Sequence, residues 1–432
     1  MPMPPPSTAA RVRALGVLAV LTLVLAACGS DDDAEPAKRS GPAQIDLTIG
    51  NLVPLSGQLR EFGHDAELAA ELATERINNA IEDAGAEHGV ELVTVDDGGD
   101  PLRAEATARE LIAEDGASCI VGPWGGADTL SVARSVAVPE HVTLISPAAT
   151  LDELTDLTDS GLINRTAPPD SAQGPALATA IGSDLGGAKG ATVNVAARDD
   201  AYGETLASSF VDAWREDGGE VGKWFTYDVD RESPGAIAED LAAGGPDATV
   251  IFDFPASFAR LAPALAQTPG YDAKRTWGAD LLASTTLPEE VPDAAIDGLR
   301  GTLPASPDGD PAGVGFRELF TKESGEEPGP FAAQTFDAVV LCYLAAVAAG
   351  SADGAELGPL VPGVSAPRGD ELTWEELPKA VRALEGGRDI DYQGAAGPLD
   401  IDVHGDPTAV TYDIYRFSGD QVLLVDQVSI GA

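Results

Sequence analysis

Little in this sequence is spaced for bond-breaking chemistry. The four histidines, His64, His88, His141 and His404, stand without a second His, Cys or acid at metal-ligand spacing, so no zinc site is expected. Asp400-Ile-Asp402-Val-His404-Gly405 resembles the start of a calcium loop, but the twelfth position is Thr411 and not Glu, which makes a turn the better reading. There is no Gly-x-Ser-x-Gly elbow, no phosphate-binding Gly-x-x-x-x-Gly-Lys and no Gly-x-Gly-x-x-Gly run, so no cofactor is implied. The acidic pairs Asp96-Asp97 and Asp199-Asp200 sit at strand ends, where neighbours point apart, and read as solvated loop acids. What remains is a set of loops suited to holding something. The segments 54–62, 123–128, 146–150, 199–203 and 278–281 are rich in Gly, Pro and small residues, with a few polar or aromatic groups among them.

Those loops need strands behind them and helices in front, and the sequence supplies both. Strand candidates at 46–53, 90–95, 119–122 and 142–145 alternate with helical stretches at 63–80, 103–114 and 129–138. On the first helix Leu68, Ala69, Leu72, Ala73 and Ile77 share one face. After Asn164-Arg165-Thr166 the rhythm restarts, with helices at 173–184, 203–217, 234–243 and 257–267 and strands at 191–197, 220–227 and 248–252. Strands alternating with helices of this length predict parallel sheets wound by right-handed crossovers, and two such series predict two α/β lobes. The C-terminal third is less regular: a buried helix at 331–349, a loop at 357–369, a helix at 374–384, then antiparallel strands across 397–418 and 422–428. In open parallel sheets ligands bind outside the carboxyl ends of the strands, so the loops above suit a cleft between lobes.

Several of these segments carry a family likeness. Residues 49–63 (IGNLVPLSGQLREFG) resemble the opening strand and loop of type I periplasmic-binding proteins, in their Leu/Ile/Val-binding branch. Residues 145–155 (ISPAATLDELT) are similar to that family's second pocket loop; 164–173, 199–203 (DDAYG), 334–338 (QTFDA) and 394–406 also fit in order. The resemblance spans about 46 to 428 and implies two Rossmann-like lobes joined by three crossovers, placed near residues 166, 303 and 395. The lobes would then be 46–165 with 304–394, and 166–303 with 395–432.

The resemblance also implies a pocket. Phe62 falls where the family often sets a ring against the ligand side chain. Ala148 falls where a carbonyl accepts from the ligand ammonium, and Thr150 where a hydroxyl and amide meet its carboxylate. Tyr202 would close from the second lobe, and Asp280 would be the acidic partner of the ammonium. The chemistry agrees in part: a carboxylate is well held by amides at a helix N-terminus, and a desolvated ammonium needs a carboxylate. Plainer readings stand beside these: Asp280 as a solvated loop acid, Tyr202 as a packed surface ring, Thr150 as a cap for a helix near Asp152. One departure is clear. Gly126 replaces the serine whose hydroxyl usually holds the carboxylate, leaving only its N–H, while Trp124 beside it would narrow the cleft or stack on a flat ligand. The position of a further pocket aromatic falls at Pro255.

The ends and the composition frame this site. Arg11 and Arg13 precede an apolar run at 14–25, too short for a stable membrane span, which ends in Leu25-Ala26-Ala27-Cys28 and looks like a bacterial lipobox. Residues 1–27 are therefore expected to be a lipoprotein signal peptide, with Cys28 lipidated and 28–45 a flexible stalk. No later stretch reads as apolar and long enough to cross a bilayer. A formal charge of −45 over 432 residues argues against nucleic acid and against wide contact with anionic headgroups. Cys119 and Cys342 are far apart in apolar surroundings and read as two buried thiols, with a disulfide as the alternative.

The expectation is a monomeric, exported, lipid-anchored receptor on the outer face of the cell membrane. It would close about its hinge on a small polar metabolite, an amino acid foremost, and meet the permease subunits of an ABC importer. A membrane-coupled sensor on the same scaffold, a receptor for an amide, urea-like solute or aromatic carboxylate, and an exported hydrolase are the competing readings. Closure without turnover separates the receptors from the hydrolase.

Overall fold

A computed structural model describes residues 44–430. The expected leader, Cys28 and nearly all of the stalk lie outside these residues; Ile45, assigned to the stalk's end, instead opens the first strand and is buried.

Two α/β lobes form as the alternation predicts. Strands β1 (Ile45–Val53), β2 (His88–Asp96), β3 (Cys119–Val121), β4 (Thr143–Ser146) and β5 (Ile163–Arg165) make one parallel sheet in the order β2-β1-β3-β4-β5. Its centre is apolar on both faces (Ile45, Leu47 and Ile49 on β1; Cys119 and Val121 on β3), as expected of a sheet covered by helices on each side. The helix Arg60–Ala84 buries the face carrying Ala69, Leu72, Ala73 and Ile77 against it. A second sheet holds β6 (Thr192–Arg198), β7 (Glu220–Tyr227), β8 (Ala248–Phe252), β9 (Thr276–Gly278) and β10 (Arg300–Ala305). These five are parallel and run β7-β6-β8-β9-β10.

The C-terminal third departs from the sequence reading in several places. The segment expected to be a loop at 357–369 folds as short helical turns, Gly354–Leu357, Gly358–Leu360 and Val361–Ser365. Pro359 and Pro362 occupy first-turn positions, where a missing N–H costs nothing, and Leu357, Val361 and Val364 reach the core. A small sheet absent from the sequence reading follows: β11 (Asp370–Thr373), β12 (Ile390–Gly394) and β13 (Gly397–Pro398). Between 399 and 409 the expected strand gives way to a turn, where Asp402 accepts from the N–H groups of His404 and Asp406. The chain then adds β14 (Val410–Ser418) and β15 (Gln421–Ile430), antiparallel, to the β10 edge of the second sheet.

The helix Ala332–Ala349 is 18 residues long with mean hydropathy 1.6, enough by length and composition to cross a membrane, contrary to the expectation that no later stretch would be. It is instead the central core helix of the first lobe, lying against the helix Arg60–Ala84 and strands β1, β3 and β4. Cys342 on this helix is joined to Cys119 on β3 by a disulfide, with Cα atoms 6.1 Å apart. The reading of two free thiols is therefore corrected. The sequence separation of 223 residues hid the pairing, because only the packing of helix on sheet brings the two together.

Candidate functional site

The carboxyl ends of both sheets face one another, and six loops meet there. From the first lobe come the turn after β1, the Gly122–Gly125 loop after β3 and the 147–151 loop after β4. From the second come Asp199-Asp200 after β6, Asp253-Phe254 after β8 and Ala279 before the short turn Asp280–Leu282. Asp200 caps the helix Ala201–Glu216 by accepting from the Gly203 N–H at 3.1 Å, which fixes Tyr202 in the first turn, at the cleft.

Aromatic rings form the apolar part of the site. Trp124 stacks on Phe62, with centroids 6.3 Å apart and planes 13° from parallel, and meets Phe331 edge-on at 5.9 Å. Leu59, Leu281, Ala148, Tyr202 and Phe254 belong to the same cluster, which draws on both lobes. Within it lies an inner cavity of about 30 Å³, walled by Trp124, Gly126, Ala148, Thr150, Leu151 and Tyr202 among others. It adjoins an outer compartment of about 210 Å³ that shares Gly126, Tyr202 and Phe254 and reaches Gln58, Asp128 and Arg198. Five of the residues singled out in the sequence thus share one cavity: Trp124, Gly126, Ala148, Thr150 and Tyr202. Phe62 and Asp280 are outside its wall. Phe62 supports Trp124, and Asp280 stands behind Tyr202.

Asp280 is fully buried, which rules out a solvated loop acid. One carboxylate oxygen accepts from the Tyr202 hydroxyl at 2.6 Å and from the Leu281 N–H at 2.6 Å; the other has no hydrogen-bond partner among the described residues. Burial raises its carboxyl to about 6, although Tyr202, the Leu281 amide and the nearby Gln173 side chain draw it back. Burial and the Asp280 charge push the Tyr202 phenol well above its ordinary value, so its proton stays on and it donates. Asp170, also fully buried, opens the helix Asp170–Leu185, gives its N–H to the Thr150 carbonyl at 2.8 Å and accepts from Thr205. Its carboxyl is raised to about 7, again chiefly by burial. Thr150 is itself buried, and its hydroxyl lies against Asp170.

Three groups at this site escaped the sequence reading. Phe254, one residue before the Pro255 position, lines both compartments and packs on Tyr202 at 5.1 Å. Its place at the end of β8, in front of a proline that starts a helix, was a usable sign. Arg198, the last residue of β6, lies over Phe254 (3.7 Å), pairs with Asp200 and Asp253, and donates to the Gln58 side-chain Oε1 across the cleft at 2.9 Å. Arg165 is buried behind the 147–151 loop, where its guanidinium donates to the carbonyls of Ala149 (3.2 Å) and Leu151 (2.9 Å) and pairs with Asp406 at 2.6 Å. Only the fold brings 406 to 165. Asp97, read as solvated, is 1% exposed, with its carboxyl raised to about 6.

Comparison with known proteins agrees with this architecture. Residues 46–402 match the family described as periplasmic binding protein. The chain is 26% identical over 363 residues to the chemotactic signal transduction system substrate-binding protein BasB of Halobacterium salinarum, covering 82% of this chain and 83% of that protein. Among solved structures, the branched-chain amino acid transporter substrate binding protein LivJ of Streptococcus pneumoniae, in complex with isoleucine, superposes with a TM-score of 0.69 at 20% identity, over 89% of this chain and all of the other. A solute binding protein of an ABC transporter from R. palustris, in complex with benzoate, gives 0.69 at 21% identity, over 90% and 98%. With a match that spans the loops of the cleft from both lobes, the chain belongs to the periplasmic binding protein family.

Proposed function

We propose that this protein captures a small amine-bearing solute, an α-amino acid foremost, by hinge closure and hands it to the permease of an ABC importer without chemical change. The observation that carries this reading is the Tyr202–Asp280 pair: Tyr202 lines a cavity whose first-lobe wall includes Gly126, Ala148 and Thr150, and behind it stands a buried carboxylate with one unpartnered oxygen. An ammonium admitted past Tyr202 would pair with the free oxygen of Asp280, and the Gly126 and Thr150 amides would take a carboxylate.

The lobes in this reading are 46–165 with 304–394, and 166–303 with 395–432. Ligand would dock on the first and the second would close, shifting a pre-existing equilibrium by its differential affinity for the closed form. The Arg198–Gln58 hydrogen bond is one contact that opening would break. The protein works outside the cytoplasm as a monomer, held by lipid on Cys28. A sensing role on the same scaffold is favoured by one observation, the chemotactic relative.

The test is thermal unfolding of the chain from Gly29 onward against amino acids, amides, urea and aromatic acids. Ligand at about 100 times its dissociation constant adds roughly 2.7 kcal/mol, a visible shift. Stabilisation by amino acids is expected. Stabilisation only by solutes without an amine would overturn the role of Asp280 and leave a receptor for a different solute.

A further inference from the structure

The inner cavity of about 30 Å³ has room for one or two waters, so a ligand seated against Thr150 and Tyr202 has to extend into the outer compartment. That compartment has an unsatisfied acid in its wall. Asp128 is 5% exposed and makes no hydrogen bond or ion pair among the described residues. Its carboxylate lies over Gly125: a Cβ there would stand 2.5 Å from Oδ2, so only glycine leaves it this position. Behind it, Asp97 is buried with one oxygen unpartnered. The single cation in this wall, Arg198, is committed to Asp200, Asp253, Ser257 and Gln58. Burial raises its carboxyl to about 7, helped by the like charges of Asp97 and Asp100.

The Asp128 side chain is buried apart from its oxygens, which open on the compartment with no protein partner, and a bound ligand that supplies positive charge would complement them. We propose that Asp128 is a specificity-determining residue that receives a second cationic group at the ligand's outer end, so that the preferred solute is a diamino monocarboxylate of the lysine or ornithine class. The inference rests on the amino-acid reading above and adds to it the chemistry of the side chain. Tyr202 and Phe254, which also line the compartment, suit the methylene stem and the approach of a cation to a ring face. A purely anionic solute would bring a further negative charge beside Asp128 and Asp280.

Calorimetric titration with L-lysine and L-leucine, on the unmodified protein and on Asp128→Asn, tests this. Lysine should bind more tightly than leucine, and Asp128→Asn should reduce the lysine-to-leucine preference roughly ten- to hundredfold, the size of one charge-assisted hydrogen bond. Because Asp128 has no protein partner to lose, the ligand-free Asp128→Asn variant should melt no lower than the parent; Asp128→Ser serves as a second variant with the same expected loss of preference. Leucine binding as tightly as lysine, or a preference unchanged in both variants, overturns the inference and leaves the amino-acid reading intact. Binding of neither overturns both.

Discussion

Leu151 fills the space that a side chain at position 126 would need: a Cβ on Gly126 would lie 2.4 Å from Leu151 Cγ. Gly126 is therefore half of a matched pair, and its partner lies on the 147–151 loop of the same lobe. Gly126→Ser should not restore a carboxylate-binding hydroxyl. It should cost about 1–3 kcal/mol through overpacking and weaken ligand binding. Leu151→Ala alone should cost about 2–4 kcal/mol, because Leu151 is buried. Combined, each change relieves the other, and a double-mutant cycle read by urea unfolding should give a coupling of at least ~1 kcal/mol. Simple additivity would mean that the loops yield and the two residues are independent.

Arg165 and Asp406 should separate stability from binding. Asp406→Ala leaves a buried guanidinium without its counter-ion and should cost about 3–5 kcal/mol in denaturant unfolding. Arg165→Met likewise leaves the buried Asp406 carboxylate without its counter-ion, whereas Arg165→Met/Asp406→Leu removes both charges, so the cost of the double variant should be clearly smaller. It also removes the brace on the Ala149 and Leu151 carbonyls, which flank Thr150. Ligand affinity of this double variant should therefore fall more than its stability does. An affinity equal to the parent's would show that the loop holds its shape unaided.

The disulfide should be present in protein exported to an oxidising compartment. Denatured without reductant, the chain from Gly29 onward should show no thiol that can be labelled. Joining residues 223 apart encloses most of the second lobe in one covalent loop, and chain-entropy reasoning puts the stabilisation at up to about 5 kcal/mol. The Cys119→Ala/Cys342→Ala double variant should fold and lose roughly 2–5 kcal/mol, measured by unfolding with and without reductant. An unchanged midpoint would mean that the buried packing of helix on β3 carries the junction alone.

The alternation of β-branched runs with amphipathic helices made both parallel sheets legible, because hydrophobic period is a local property and a parallel sheet leaves few other arrangements. The pocket loops followed from their place at strand ends. What the sequence hid was long-range or cooperative. Cys119 with Cys342 and Arg165 with Asp406 are partners only in the folded chain. The turns at 354–365 are too short for a period to reveal. Asp97 and Asp128, ordinary loop acids by composition, are buried by packing that nothing local announces. Phe254 was missed by one position, since the likeness fixed on the proline beside it.

The buried acids set the direction of the pH response. The carboxyls of Asp97 and Asp280 are raised to about 6, and those of Asp128, Asp170 and Asp337 to about 7, all chiefly by burial. A carboxyl raised in this way keeps its proton in the folded chain at pH values where the unfolded chain has already lost it. The folded state therefore binds more protons between about pH 4 and 7, and stability falls as pH rises through that window. The ligand-free protein should melt higher at pH 5.5 than at pH 8, and Asp280→Asn should flatten part of that slope. Ligand binding should run the opposite way. An ammonium requires Asp280 ionised, so affinity for an amine-bearing solute should rise as pH rises through about 6, with a proton released on binding below that value. Calorimetry in buffers of differing ionisation enthalpy would count the proton. Equal affinity at pH 5 and pH 8, with no buffer dependence, would remove Asp280 from the ammonium site. The backbone donors, the aromatic wall and Asp128 would then remain to explain recognition.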